Sequence, residues 1–240
     1  MTKKLKKLRF KYDAEPNWVY KESKKEFLFS DPGWPIAPPK VLKSIEYVMN
    51  KLDLDMNIRA LVYPNDYLNM RRFNAMISRN HEIYFIIFTS PLINLLDQNE
   101  TNYVVGHEIG HAIFDHLDES RKLVDTGLKN LESQCAEISA DRIGFASVDS
   151  ISIASSAIHK LKYGIKHAHN KINIKKLINH INDPDSGYTT THPIDSLRLE
   201  AVIRFSMSKK YREYVKDSHY IFEDEKLDDY IYANIKKQII

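Results

Sequence analysis

Two histidines stand four residues apart in the stretch VVGHEIGHAIFDH, residues 104–116, and a glutamate follows the first of them. On an α-helix, residues i and i+4 lie on one face, one turn apart, so His107 and His111 could present two imidazole nitrogens to one metal ion. Glu108 could then take a proton from a water molecule that this metal activates and pass it to a leaving amine. The pattern predicts metal-assisted hydrolysis.

The simpler interpretation is a core helix that carries histidines at its surface. The neighbouring residues argue against it, because they make the helix apolar nearly all round: Val104, Val105, Ile109 and Ala112. Three chargeable side chains on a buried helix cost free energy unless they are bound to a partner. A metal ion would be such a partner.

A catalytic zinc site needs a third protein ligand and an open fourth position. Downstream, SQCAEISADRIGFASV (Ser133–Val148) places Glu137 and Asp141 at i and i+4 on another apolar helix, flanked by small residues. Glu137 could be the third ligand. Asp141 could hold a ligating histidine through its other ring nitrogen. The alternative is an ordinary acidic helix face. Imidazole together with an oxygen ligand favours zinc.

The elements that must position these residues follow from apolar periodicity and turn residues. Strands are predicted at Ile58–Pro64, Arg72–Ser78 and His81–Thr89, with a tight turn at Arg79–Asn80. One helix is predicted at 41–52, and a second begins at Pro91 with Ser90 as its cap. After a break near Asp97–Glu100, a third helix carries the histidine motif. Further helices are predicted over 120–148, 151–182, 195–205 and the tail, with a loop at Ile181–Pro193. We expect a mostly helical α+β fold with a small, mainly antiparallel sheet. It would be one domain over 1–240, with a basic segment at 1–30 and a helical extension at 206–240.

Composition favours a soluble, cytoplasmic globular protein, with 43% hydrophobic and 28% charged residues. The net charge of +3 is spread along the chain, so no nucleic-acid partner is expected. The longest apolar run, Ile83–Phe88, is too short to cross a bilayer. Residues 1–12 are basic and allow weak peripheral membrane contact, although a solvated tail or edge strand is the simpler interpretation. The single cysteine, Cys135, excludes an internal disulfide and is expected to be a packed residue.

The fuller pattern GHEIGHAIFDH…AEISAD…THP resembles the gluzincin zinc metallopeptidases, in particular the HtpX-like and CaaX-prenyl-protease-like endopeptidases. The resemblance extends from about residue 74 to 198. It implies a zincin-like domain with one Zn²⁺ per chain that hydrolyses peptide or protein substrates. It also implies His107, His111 and Glu137 as zinc ligands, Glu108 as general base and Asp141 as support for a ligand.

The same resemblance assigns three further positions. His192, in a Thr-His-Pro loop, would stabilise the oxyanion, and Arg198 matches the arginine that follows it. Asn74 and Ala75 precede a strand to which a substrate peptide would add. Membrane members of the family carry hydrophobic spans, whereas residues 112–136 here are polar, so the resemblance is to a soluble relative.

Two other functions stay open at this point. One is a latent zinc-binding protein that acts through a partner, with the C-terminal helices over the cleft. The other is a module that attaches to membranes or nucleic acid through the basic arm. His116 lies five residues past His111 and off the ligand face of a continuous helix, so it is not predicted to be a ligand. His167 and His169 form an H-x-H pair of little weight on a predicted helix.

Overall fold

A computed structural model describes residues 3–13, 33–63, 73–117, 126–164 and 195–239. The helices are α1 Lys3–Lys6, α2 Pro39–Leu52, α3 Ser90–Leu95, α4 Gln98–Ile113, α5 Thr126–Val148, α6 Ile151–Tyr163, α7 Asp195–Ser206, α8 Lys209–Tyr214 and α9 Asp224–Ile239, and the strands are β1 Asn57–Tyr63, β2 Ala75–Asn80 and β3 Ile83–Thr89. The predicted α+β class, mostly helical with a small sheet, is confirmed. The predicted loop at Ile181–Pro193 with His192, the helix prediction beyond residue 164, and His167 and His169 lie outside the described residues.

The sheet has the strand order β1-β3-β2. β3 pairs antiparallel with β2 and parallel with β1, so the sheet is mixed rather than mainly antiparallel. The reason is connectivity, because only β2 and β3 are joined by a short turn, whereas β2 intervenes in the chain between β1 and β3. The central strand β3 is buried from Phe85 to Thr89. Such a near-continuous apolar run is typical of a strand that is covered on both faces.

Two local predictions differ from the structure by a residue or two. The hairpin turn is formed by residues 81–82 instead of 79–80, because Asn80 still pairs with Ile83 and His81 takes the left-handed conformation, with φ 51°. Helix α3 includes Ser90, and Thr89 is its N-cap. The Thr89 hydroxyl is bonded to the backbone of Asn74 and does not cap the helix.

Helices α4 and α5 pack against each other through small residues. A Cβ on Gly110 would stand 2.9 Å from the Cα of Ala140, and a Cβ on Gly106 would stand 2.4 Å from the hydroxyl of Ser147. Both distances are shorter than van der Waals contact, so the two backbones approach as closely as glycine permits. This approach sets His107 and His111 of α4 directly against Glu137 and Asp141 of α5.

Residues 3–13 are packed into the protein, which differs from the predicted solvated tail or edge strand. Leu5, Leu8 and Phe10 are fully buried, while the intervening lysines stay exposed. The backbone N–H of Phe10 donates to the hydroxyl of Ser139 on α5, at 3.1 Å. The segment therefore adds an apolar residue to the core at every second or third position despite its basic composition.

The C-terminal helix α9 covers one face of α5. Its apolar residues pack with α5, α7 and Phe10 in one cluster that contains Cys135, Ile138, Leu197, Leu227, Ile231 and Ile235. Arg142 of α5 is buried, donates to the carboxylate of Asp228 on α9, and lies over the rings of Phe10 and Phe205. On a helix, Cys135, Ile138 and Arg142 point about 100–160° away from Glu137. Helix α9 thus packs on a different face of α5 from the one that carries Glu137.

A buried ion pair joins the start of α4 to α6. The Nζ of Lys160 lies 2.7 Å from Glu100, and both side chains are almost fully buried. Glu100 also completes a capping box with Asp97, which explains the predicted break before α4. We expect Lys160→Met to lower the free energy of unfolding by about 2–3 kcal/mol, because it leaves a buried carboxylate without its cation.

Urea unfolding of this variant would be compared with that of Lys162→Met, which changes an exposed lysine of the same helix and should cost less than about 0.5 kcal/mol. The double variant Lys160→Met/Glu100→Gln should recover part of the loss, since no buried charge remains. Equal stability of the two lysine variants would show that the ion pair is not important.

Candidate metal centre

Three side chains converge where α4 crosses α5. The Nε2 atoms of His107 and His111 are 3.2 Å apart, and they lie 3.5 and 3.4 Å from the two carboxylate oxygens of Glu137. The ligand atoms of all three residues are within 4.8 Å of one another. Two imidazole nitrogens and a carboxylate oxygen form the donor set of many catalytic zinc sites. The three predicted ligands are therefore placed together, although Glu137 lies on a different helix from His107 and His111.

Asp141 holds the ring of His107 from behind. Its carboxylate lies 2.9 Å from the Nδ1 of His107, so this nitrogen carries the proton and the Nε2 lone pair faces the cluster. Burial by itself lowers the pKa of His107, but its hydrogen bonds with Asp141 and Glu137 outweigh burial and raise that pKa to about 10. Without a metal ion, the cluster thus attracts a proton strongly.

Arg198 and Tyr103 fix the position of Asp141. The guanidinium of Arg198 donates to both carboxylate oxygens, at 2.8 and 2.7 Å, and the hydroxyl of Tyr103 donates to one of them, at 2.9 Å. Burial raises the pKa of Asp141, whereas Arg198 and His107 lower it more, to about 2. The Nη1 of Arg198 is also 3.5 Å from Glu137. Arg198 was predicted to be catalytic by resemblance, and here it contacts the two carboxylates of α5.

Glu108 is the buried carboxylate that follows the first histidine on α4. It is 7% exposed, and burial raises the pKa of its carboxyl above the usual value. A carboxyl with a raised pKa is a better proton acceptor from water near neutral pH. The position and burial of Glu108 therefore suit a general base.

His116 makes two contacts that the sequence pattern did not indicate. Its Nδ1 lies 2.9 Å from the Nδ1 of His111, and its Nε2 lies 2.8 Å from the carboxylate of Asp13. The prediction that His116 is not a ligand assumed a continuous helix, yet α4 ends at Ile113. The only sequence signal is the third histidine itself, and nothing in the pattern connects it with residue 13.

The geometry of the cluster fits a metal ion. With the Nδ1 of His107 protonated toward Asp141, its Nε2 is an acceptor, and it faces a second imidazole nitrogen and the oxygens of Glu137. Acceptors this close together repel one another unless a positive charge lies between them. A cation with nitrogen and oxygen ligands satisfies all three, and zinc matches this donor set. The residues present fit the metal.

The other predicted positions are placed as follows. Asn74 precedes β2 and exchanges hydrogen bonds with Thr89 through both its backbone N–H and its carbonyl. Ala75 is the first residue of β2. Cys135 is buried in the cluster beneath α9, and burial raises the pKa of its thiol well above the usual value. A protonated, buried thiol is a packed residue and a poor metal ligand.

Residues 43–128 match the model of peptidase family M48. This segment is similar to the M48 metallopeptidases. This confirms the resemblance drawn from the sequence, and the family implies metalloprotease activity, in which the metal is usually zinc and the substrates are peptides or proteins. The match covers just over a third of the chain and contains His107, Glu108 and His111, whereas Glu137, Asp141 and Arg198 lie beyond it.

No curated protein and no solved structure matched the chain significantly. Among the helices of the described ranges, none is long and apolar enough to span a bilayer. The family relationship therefore depends on the matched segment, and the assignment of the residues beyond it depends on their geometry.

Proposed function

We propose that the protein is a zinc-dependent metalloendopeptidase whose ligands are His107, His111 and Glu137. The observation that supports this most strongly is the convergence of these three side chains from two helices, with their lone pairs facing one another. The relation to M48 peptidases supports the reaction class. One zinc ion per chain follows from one such cluster among the described residues.

Bound zinc would polarise the scissile carbonyl and lower the pKa of a water molecule. In this proposal, Glu108 would accept a proton from the attacking water on its carboxylate and then donate it to the leaving amine. Asp141 keeps His107 in the tautomer that exposes Nε2, and Arg198 keeps Asp141 ionised and in place. His192 is proposed to donate a hydrogen bond to the oxyanion, as the resemblance implies.

The outer edge of β2 is the proposed site for the substrate backbone. Asn74 and Thr89 form a hydrogen-bonded pair at the start of the β2–β3 ladder. In an antiparallel ladder, hydrogen-bonded and non-hydrogen-bonded pairs alternate, so the backbone N–H and C=O groups of Ala75, Ile77 and Arg79 point away from β3. No strand in the described part of the chain pairs with that side of β2. We propose that the backbone of Ala75 pairs with the main chain of the peptide. The backbone of Asn74 is already bonded to Thr89, so Asn74 would contact the peptide through its side-chain amide.

The alternative function, a latent zinc-binding protein with its C-terminal helices over the cleft, has less support. Helix α9 packs with Cys135 and Ile138, which lie on a different face of α5 from Glu137. This packing stabilises the support of the site and gives no reason to place α9 over the ligands.

The first test is the metal content of the chain purified without added metal. We expect about one zinc per chain, by plasma mass spectrometry, in the wild type. Loss of a residue that only supports a ligand typically weakens zinc binding by roughly 10- to 100-fold. Glu137→Ala removes a ligand itself, so it should weaken zinc binding by more than that. Glu132→Ala removes a carboxylate from the same helix outside the cluster, so it should keep the metal. A wild type without zinc, even after dialysis against it, would contradict the proposed function.

A further inference from the structure

Helix α4 ends two residues after His111, the second histidine of the motif. Asp115 takes the left-handed conformation, with φ 59°, and the N–H of His116 donates to the carbonyl of His111 at 2.9 Å. The N–H of Asp115 donates to the carbonyl of Ala112, at 3.2 Å. These two bonds form a Schellman motif, which ends a helix and folds the sixth residue back over the first. The ring of His116 is thereby brought beside the ring of His111, with ring centroids 5.1 Å apart.

When both imidazoles are neutral, the hydrogen bonds of these rings form a chain with one consistent assignment of protons. The Asp13 carboxylate can only accept, so the Nε2 of His116 donates to it, at 2.8 Å. A neutral His116 then has an unprotonated Nδ1, which accepts from the Nδ1–H of His111, at 2.9 Å. His111 in this tautomer has its lone pair on Nε2, which faces His107 and Glu137.

We propose that His116 and Asp13 are positioning residues that hold His111 in the tautomer and orientation required to bind zinc. Asp13 and His116 would thus do for His111 what Asp141 does directly for His107. The inference deepens the proposed function and rests on it, since it concerns the same metal.

The N-terminal segment gains a role through this contact. Asp13 follows Phe10, which is bonded to Ser139 of α5, and Arg9 lies 3.0 Å from the Asp13 carboxylate. The side chain of Asp13 is fully buried, although it lies 103 residues before His116. A buried carboxylate fixes the tautomer of a neighbouring imidazole more firmly than an exposed one, because water does not compete for the ring N–H.

The test compares two replacements of His116 in the full chain by competition for zinc with a chromogenic chelator. His116→Phe keeps the ring volume and removes the acceptor, so we expect zinc to bind about 10- to 100-fold more weakly. His116→Asn places an amide oxygen close to the position of Nδ1, so it should bind zinc more tightly than the Phe variant. His219→Phe, which replaces an exposed histidine, is the matched control and should equal the wild type.

A second readout separates positioning from a general contribution to packing. Urea unfolding of the metal-free chains should differ little between His116→Phe and His116→Asn, whereas their zinc affinities should differ. Asp13→Asn removes the charge without changing the volume and should also weaken zinc binding, which keeps the test available if His116→Phe does not fold.

Zinc affinities of the folded variants within twofold of the wild type would overturn this inference and leave the proposed function intact. A wild type that binds no zinc would instead overturn the proposed function, and this inference with it.

Discussion

Replacing Glu108 by glutamine is expected to abolish peptide hydrolysis and to leave the zinc content unchanged. Glutamine has nearly the same volume and stays neutral, so it cannot accept the proton of the attacking water. General acid–base catalysis by a positioned side chain typically contributes about 10²- to 10⁴-fold to the rate, and we expect a loss of kcat in that range. Glu108 is not among the three clustered ligands, so the metal should remain bound.

The measurement is the turnover of a mixed fluorogenic peptide library, with zinc content determined on the same samples. Glu132→Gln makes the same chemical change on the neighbouring helix α5 and should retain activity. Glu137→Ala should lose both zinc and activity, whereas Glu108→Gln should lose activity alone. A Glu108→Gln chain that holds zinc and cleaves at the wild-type rate would show that Glu108 is not the base.

The residues of the site that were predicted from sequence are those whose geometry is local. His107 with His111, and Glu137 with Asp141, each follow from helical i, i+4 spacing. The contact between Glu137 and the two histidines is a tertiary one. The small residues that flank Glu137 and Asp141 did indicate that another helix could approach closely. The structure places the pairs together through Gly106 and Gly110.

Contacts between distant segments could not be predicted from the sequence alone. Arg198 lies 57 residues from Asp141, and its role as a partner of that carboxylate follows only from the packing of α7 on α5. His116 was set aside because the helical period was extended past the end of α4. Asp13 lies in a segment whose lysines suggested a solvated arm, although the spacing of its apolar residues already allowed burial.

The sheet shows the same limit. Three strands were predicted from apolar runs and turn residues, and each was found within a few residues of its predicted bounds. Their order could not be derived, because the pairing of β1 with β3 is parallel and involves no hairpin. Only the β2–β3 hairpin carries a local signal, and even there the left-handed position is taken by His81 and not by the neighbouring Asn80.

The close approach of α4 and α5 leads to the second large expected effect. In an ordinary helix, Gly→Ala stabilises by about 1 kcal/mol, because alanine has the higher helix propensity. For Gly110→Ala we expect the opposite sign, with a loss of about 3 kcal/mol in the free energy of unfolding, at the upper end of the usual cost of overpacking. The new Cβ would stand 2.9 Å from the Cα and 3.2 Å from the carbonyl oxygen of Ala140, and 3.1 Å from the Cβ of Ile143. Atoms of the backbone, or attached directly to it, cannot move aside as the end of a flexible side chain does. Separation of the helices should also weaken zinc binding, since it moves the histidines away from Glu137.

Gly106 provides the matched comparison, because its obstacle is a side chain. A Cβ there would stand 2.4 Å from the Oγ and 2.8 Å from the Cβ of Ser147. Gly106→Ala should therefore be destabilising alone and partly restored by Ser147→Gly, which removes both atoms. Ala140→Gly should not restore Gly110→Ala, because the nearest atoms are the Cα and carbonyl oxygen of Ala140 and the Cβ of Ile143, none of which this change removes. Urea unfolding and zinc competition on the four variants would test this, and a Gly110→Ala chain as stable as the wild type would mean that α4 and α5 are not held at this distance.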